Sequence, residues 1–213
     1  STPAEFEEWM KAEERSRVDF HELNRWAVAR RAETAVISLA LEWGRAADLL
    51  LARAAKADKA AWTGRVVWPA EEIPHHLFVQ SRVAEWWAHG EDIRAATGLE
   101  ARIEHPPIYC VNDLSIRTIP YGLGLAGLSF PGRSVRIDLT GAGGGSWHHG
   151  LAAGDRPAPD KAPDAYIEGR AHAFALVAEQ HADPDEFLYD GLLVLGGDTG
   201  LARTVLRHVR TYI

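Results

Sequence analysis

Cysteine is almost absent from this 213-residue chain, which has Cys110 as its only one. A single cysteine excludes a disulfide within the chain, and we expect a reducing, cytoplasmic environment. Long apolar runs are also missing, since no stretch approaches the roughly 20 residues that a transmembrane helix needs. The sequence therefore predicts no membrane span, and with 46% hydrophobic residues it can bury a core of its own.

Positive charge is in deficit as well, with 23 Lys and Arg against 30 Asp and Glu and a net charge of −7. Nucleic acids and anionic membrane surfaces are bound through basic patches, so this balance argues against both classes of partner. The sequence shows no internal repeat. It begins with Ser rather than Met, and we expect processing or an upstream segment.

Apolar residues recur at helical spacing through the first 130 residues, and the pattern then becomes mixed. Helices are predicted over residues 33–56, 74–98 and 106–128, the last one broken near Pro120. Beyond them, strands are predicted over residues 134–140, 146–149 and 188–195, and helices over residues 164–180 and 200–211. This order predicts an α+β fold in two domains, a helical bundle over residues 1–130 and a small α+β domain over residues 131–213.

The helix over residues 74–98 carries the candidate site. At 100° per residue, Glu85, His89 and Asp92 share one stripe, which has apolar neighbours, and we expect this stripe to face inward. Glu91 and Arg94 lie on the other side, which we expect to be solvated.

Glu85 and His89 are one helical turn apart, so a carboxylate oxygen and an imidazole nitrogen could bind the same divalent ion. Asp92, near the next turn, would then orient His89. The alternative is an exposed helix with Arg82–Glu85 and Glu85–His89 pairs, each worth a few tenths of a kcal/mol. The spacing is compatible with both interpretations.

Three further features carry weaker signals. Cys110 could act as a nucleophile, but a lone helical Cys among apolar residues is more often a buried small hydrophobe. Residues 122–127 spell GxGxxG, yet the buried strand that precedes a dinucleotide fingerprint is missing, so we interpret the motif as coincidence. His148 and His149 are adjacent on a predicted strand and point to opposite faces, which makes them a poor chelating pair.

The helical stretch over residues 85–92 resembles the DinB-like metal-binding superfamily, and most nearly its branch of mycothiol-dependent maleylpyruvate isomerase. That branch has Arg, then Glu-x-x-x-His-x-x-Asp, and the matching residues are Arg82, Glu85, His89 and Asp92. An Arg-Thr pair on the next helix is matched by Arg117-Thr118. The resemblance implies a DinB-like helical bundle followed by a small α/β C-terminal domain.

The resemblance also implies a divalent metal, with zinc expected, bound by Glu85 and His89, and mycothiol as a thiol cosubstrate. A metal-bound thiol loses its proton near neutral pH and becomes a nucleophile. Arg82 and Arg117 would bind a carboxylate of substrate or thiol, with structural pairing to neighbouring acids as the alternative, Asp113 in the case of Arg117. The implied function is a cytoplasmic S-transferase or isomerase acting on a small electrophilic substrate.

The implied metal site lacks one ligand. The family's third ligand is a His on an upstream helix, and neither His21 nor His75 lies in a position to replace it. We expect either that about two helices precede this sequence or that the metal site is impaired. The alternative function is therefore a non-catalytic DinB-like protein that binds a small molecule or a protein partner.

Overall fold

The protein is seen in a computed structural model that describes residues 20–67, 72–158 and 160–211. The chain divides into two compact units, residues 1–78 and residues 79–213. The described residues form nine helices and six strands, which confirms the predicted α+β class. The domain boundary placed near residue 130 stays a prediction.

The described part of the first unit contains one long helix, two shorter helices and two short strands. Its elements are α1 (Phe20–Ala29), α2 (Val36–Lys56), α3 (Lys59–Thr63), β1 (Arg65–Val67) and β2 (Glu72–Pro74). The two strands pair antiparallel, with Val66 opposite Ile73. Each of the 21 residues of α2 is at least partly exposed, and Val36 is 81% exposed. A bundle helix buries an apolar stripe, so the DinB-like bundle is not confirmed.

The second unit places helices on a sheet. Its elements are α4 (His75–Thr97, from Val79 onward), α5 (His105–Arg117), α6 (Ile119–Leu125), β3 (Phe130–Thr140), β4 (Gly145–Leu151), β5 (Ala165–Arg170), α7 (Ala171–Ala178), α8 (Pro184–Tyr189), β6 (Leu193–Gly197) and α9 (Thr199–His208). None of the helices in the described ranges is long and apolar enough to cross a membrane.

The sheet has the strand order β4-β3-β5-β6. β3 and β5 run parallel, with Ile137 opposite Ile167, and the two outer pairings are antiparallel. Along β3, Val135, Ile137 and Leu139 are buried while Arg136 and Thr140 are exposed. This alternation confirms the strand predicted over residues 134–140 and shows that one face of the sheet is covered.

One hydrophobic core joins the helices to the covered face of the sheet. Ile108 on α5, Phe174 on α7 and Leu206 on α9 pack in it with Ile137, and all four are fully buried. Burying a side chain of this size contributes about 1.5–3 kcal/mol. The core therefore fixes α5, α7 and α9 against the sheet.

The helix predicted over residues 164–180 is wrong in its first half, where the chain forms β5. Ala165 and Ile167 are buried, whereas Tyr166 is half-buried and Glu168 is exposed, which is the two-residue period of a strand. This segment pairs in parallel with β3, and the helix α7 starts only at Ala171. Tertiary pairing overrides the alanine-rich composition here.

The strand predicted over residues 188–195 begins too early. Leu188 belongs to α8, whose N-terminus is capped by the Asp183 side chain accepting from the backbone N–H of Asp185 at 2.9 Å. The strand β6 starts at Leu193. The first apolar residues of the segment 188–195 therefore belong to the capped helix α8 and not to the strand.

The helix predicted over residues 74–98 is confirmed, and Gly98 follows its end with a φ of +68°. The prediction that the stripe with Glu85, His89 and Asp92 faces inward is wrong, however. The buried residues of α4 are Ser81, Ala84, Trp87, Ala88 and Glu91. Ala84, Trp87 and Glu91 lie on the side expected to be solvated, and Ser81 and Ala88 lie between that side and the predicted stripe. Small side chains at this spacing allow close packing, and Glu91 tolerates burial because its Oε1 accepts from the backbone N–H of Arg102 at 3.1 Å.

Candidate functional site

A cavity of about 450 Å³, called the main cavity, lies between the C-terminal half of α4, the segment after it, and the end of α7. Its apolar lining residues are Ala95, Leu99, Ala101 and Leu176. Its polar lining residues are Glu91, Asp92, Arg94, Gln180 and His181. Polar and apolar residues thus both form its wall, and small molecules usually bind in concave sites where polar groups converge.

Gln180 shapes one wall of the main cavity by ending α7 in the left-handed conformation, with a φ of +61°. Its Nε2 donates to the carbonyl oxygens of Val177 at 3.1 Å and Val209 at 3.2 Å. The chain turns here, and the backbone N–H of His181 donates to Leu176 O at 2.8 Å. This turn after α7 places the His181 side chain next to Asp92 on α4.

The Asp92 carboxylate lies between two histidines at the main cavity. Its Oδ1 is 3.2 Å from His181 Nε2, and its Oδ2 is 3.4 Å from His89 Nδ1. His181 is 22% exposed and Asp92 is 55% exposed at the side chain. The contact therefore joins α4 to the segment after α7 at a partly solvated position.

A second cavity of about 220 Å³, called the side groove, shares Glu91 and Arg94 with the main cavity. Its other lining residues are Val83, Trp86, Trp87, Gly90, Arg102, Glu104 and Pro107. The segment 98–104 is tied to α4 here, because Trp87 Nε1 donates to Arg102 O at 3.4 Å and Glu91 accepts from the Arg102 N–H. The Glu91–Arg94 pair, with Arg94 Nε 3.4 Å from Glu91 Oε1, thus lies between the two cavities.

His172 packs behind the side groove, edge-on to Trp87 with the ring centroids 5.8 Å apart. Burial lowers the pKa of His172, and the Glu91 carboxylate opposes this only in part. The imidazole is therefore uncharged at neutral pH and contributes no cation to the site.

Arg82 and Glu85, two of the predicted site residues, bind each other. Arg82 Nη1 and Nη2 donate to Glu85 Oε2 and Oε1 at 2.7 and 2.6 Å. His89 is exposed, 73% at its side chain, and its Nδ1 lies 3.4 Å from Asp92 Oδ2. The structure thus shows Arg82–Glu85 as an ion pair, which is the alternative interpretation of Glu85. Among Arg82, Glu85, His89 and Asp92, only Asp92 lines the main cavity.

Arg117 is also paired, as its structural alternative predicts. Its Nε donates to Asp113 Oδ2 at 2.8 Å, and Asp113 also accepts from Gln80 Nε2 at 3.0 Å and from Trp147 Nε1 at 3.0 Å. Burial alone would raise the pKa of Asp113, but these three hydrogen bonds outweigh it and hold the pKa below its ordinary value.

Cys110 lies beside this network, and its thiol is poorly suited to nucleophilic attack. Burial, together with the nearby Asp113 carboxylate, raises the pKa of the Cys110 thiol. Because the thiolate is the nucleophile, a raised pKa favours the small buried hydrophobe among the two interpretations of this residue.

In the part of the chain that the structure describes, no group of three or more His, Cys, Asp or Glu side chains is placed to bind a metal ion. The pair Glu85 and His89 lacks a third ligand there, and both Glu85 oxygens are engaged by Arg82. Their assignment as ligands, that of Asp92 as the residue orienting His89, and the substrate roles of Arg82 and Arg117 stay predictions.

The GxGxxG motif has a packing role. A Cβ atom on Gly122 would lie 2.2 Å from the carbonyl oxygen of His208, so only glycine lets α6 approach the end of α9 this closely. The motif begins on the short helix α6, which ends at Leu125, and does not follow a buried strand. This explains the first glycine without a nucleotide.

Comparison with known proteins gives one family. Residues 128–208, from just before β3 to the end of α9, match the SCP-2 sterol transfer family. The search of curated proteins gave no match. The matched segment includes Leu176, Gln180 and His181 and therefore supplies one wall of the main cavity.

This match overturns the DinB-like resemblance and the function drawn from it. The metal- and mycothiol-dependent S-transferase or isomerase is wrong, and so is its non-catalytic DinB-like alternative. The resemblance rested on a helical motif whose spacing equally fits surface ion pairs, and Arg82–Glu85 is such a pair. Zinc and mycothiol gain no support as features of the protein. As cofactors they stay untested predictions, as does the cytoplasmic location.

Proposed function

We propose that the second unit binds a small hydrophobic lipid in the main cavity and carries it through water. The match of residues 128–208 to the SCP-2 sterol transfer family carries this proposal. A carrier of this kind needs an apolar wall to shelter the lipid and an opening through which it enters and leaves.

The geometry of the main cavity supports the proposal. Its volume of about 450 Å³ lies within the roughly 300–1,000 Å³ that is usual for small-molecule sites. Leu176, which comes from the matched segment, lines the cavity together with Ala95 and Leu99. The side groove adds room along the same helix, so a long ligand could extend past Glu91 and Arg94.

Filling the main cavity tests the proposal. Ala95 lines the cavity from α4 and is exposed, so Ala95→Trp places an indole in the binding space without disturbing the core. We expect at least about tenfold weaker binding of a fluorescent sterol, which corresponds to about 1.4 kcal/mol. The measurement is a fluorescence titration of the delipidated protein.

The matched control is Ala96→Trp. Ala96 is also exposed and is the next residue on α4, about 100° around the helix and outside the cavity lining. This variant should bind the sterol like the unmodified protein. Equal weakening in both variants, or saturable binding that Ala95→Trp leaves intact, would place the ligand elsewhere and remove the proposal.

A further inference from the structure

The helix α2 presents a mainly apolar seam to solvent. At 100° per residue, six of its residues fall within an arc of about 80°. They follow one another at spacings of four and three residues, which is the repeat of a helix that packs along its length on another helix. These residues, called the α2 seam, are Ile37, Leu41, Gly44, Asp48, Leu51 and Ala55.

The large side chains of the α2 seam are open to solvent. Ile37 is 69% exposed, Leu41 is 55% exposed and Leu51 is 58% exposed. Leu50, on the other side of α2, is half-buried, so the partial cover of this helix lies away from the seam. Single exposed apolar residues are common, but a continuous row of them marks a surface for interaction.

The α2 seam is complementary to itself when two copies of the helix lie antiparallel. Placing Leu41 opposite Leu51 of the second copy also places Ile37 opposite Ala55 and Gly44 opposite Asp48, and a two-fold axis repeats each pair. Gly44 has open space around its Cα among the described residues, so it leaves room for the Asp48 side chain of the second copy.

Charge favours the antiparallel orientation. Arg45 and Asp48 are exposed, and neither has an ion-pair partner among the described residues. In the antiparallel pair, Arg45 lies on the same side and at nearly the same level as Asp48 of the second copy, so the two opposite charges can meet twice around the axis. A parallel pair would instead place the two Asp48 side chains in one layer, where they repel.

We propose that two copies of this chain associate through the α2 seam as an antiparallel, two-fold symmetric helix pair. With 21 residues, α2 is about 30 Å long. Two such helices in contact along their length hide roughly 1,200 Å² in total, the lower end of the range for specific interfaces. We therefore expect a Kd on the order of 10 μM. The inference is independent of the lipid-binding proposal.

Sedimentation equilibrium of the full chain tests the association, with the mass expected to rise from one chain to two as the concentration passes the Kd. Leu41→Glu places a carboxylate in an apolar layer twice per dimer and should raise the Kd at least about a hundredfold. Leu49→Glu is the matched control, because Leu49 is 53% exposed and lies about 80° beyond Leu41, outside the seam. It should change the Kd by about threefold or less.

An exchange of charges tests the orientation and does not depend on Leu41. Arg45→Asp sets an acid against Asp48 of the second copy and should raise the Kd at least about tenfold. Adding Asp48→Arg to the same chain restores opposite charges and should return the Kd to within about threefold of the unmodified protein.

A chain that stays monomeric at about fifty times the expected Kd would overturn the inference, since its own residues would then cover the seam in solution. So would association that Leu41→Glu and Leu49→Glu affect alike, or a mass that grows beyond two chains. A charge exchange that leaves the Kd as high as Arg45→Asp alone would overturn the antiparallel pairing.

Discussion

The glycine turn between β3 and β4 offers a sharp test of the packing that holds α5 to the sheet. Gly143 has a φ of +78°, and its backbone N–H donates to His105 Nδ1 at 3.1 Å. Its carbonyl accepts from the Asn112 side chain at 3.1 Å. We predict that Gly143→Ala destabilises the fold because both the conformation and the contact exclude a Cβ atom.

The size of the effect follows from the distances. A Cβ on Gly143 would lie 2.4 Å from Ile108 Cγ2 and 2.7 Å from the backbone nitrogen of Tyr109. Ile108 is fully buried, so the turn itself has to move. Overpacking costs about 1–3 kcal/mol and the left-handed conformation of alanine about 1 kcal/mol. We therefore expect a loss of about 2–4 kcal/mol in the free energy of unfolding.

Urea unfolding of Gly143→Ala and of Gly141→Ala separates the cost of overpacking from the cost of the left-handed conformation. Gly141 has a φ of +88°, and a Cβ there would meet open space among the described residues. The control should therefore lose only about 1 kcal/mol. Equal losses in the two variants would show that the close approach to Ile108 contributes nothing, and the reasoning would fail.

Two further changes probe polar groups that shape the second unit. Asp113→Asn should cost about 2 kcal/mol at neutral pH in urea unfolding, because a buried donor is left facing a donor. The pKa of Asp113 is lowered in the folded state, so its contribution to stability is present above the unfolded pKa and is lost as pH falls through the folded pKa. The difference in unfolding free energy between the unmodified protein and Asp113→Asn should therefore shrink in acid. A difference that stays constant with pH would contradict this. Gln180→Gly should be less stable by about 1 kcal/mol in the same assay. Relief of the left-handed strain does not replace the two hydrogen bonds to Val177 and Val209, and a more stable variant would refute this balance.

The sequence predicts well those elements whose ends and faces are set locally. Gly98 marks the end of α4 because its left-handed conformation suits glycine, and the alternation of Val135, Ile137 and Leu139 marks β3. β5 escapes prediction because Ala165 and Ile167 become a strand only by pairing with β3, about 30 residues earlier. Local propensity carries no information about such a partner.

The candidate site was harder to predict, since it depends on which side of α4 is buried. Glu91 is charged, and charge alone suggests a solvated side, yet it is 8% exposed because the Arg102 backbone and Arg94 satisfy it. The signal that could have shown this was the spacing of small or apolar residues before Glu91, with Trp87 and Ala88 one turn and Ala84 two turns before it. The contact of Asp92 with His181 joins residues 89 positions apart and has no local signature.

The two walls of the main cavity have different origins, and this bears on where a lipid-binding function resides. Leu176, Gln180 and His181 lie inside the segment that matches the sterol transfer family, whereas Glu91, Ala95 and their neighbours on α4 lie outside it. The matched segment supplies a packed sheet and the end of α7, but α4 closes the cavity and provides the charged groups. Under the proposed function, α4 would therefore contribute to ligand choice together with the matched segment, because Glu91, Asp92 and Arg94 belong to that helix.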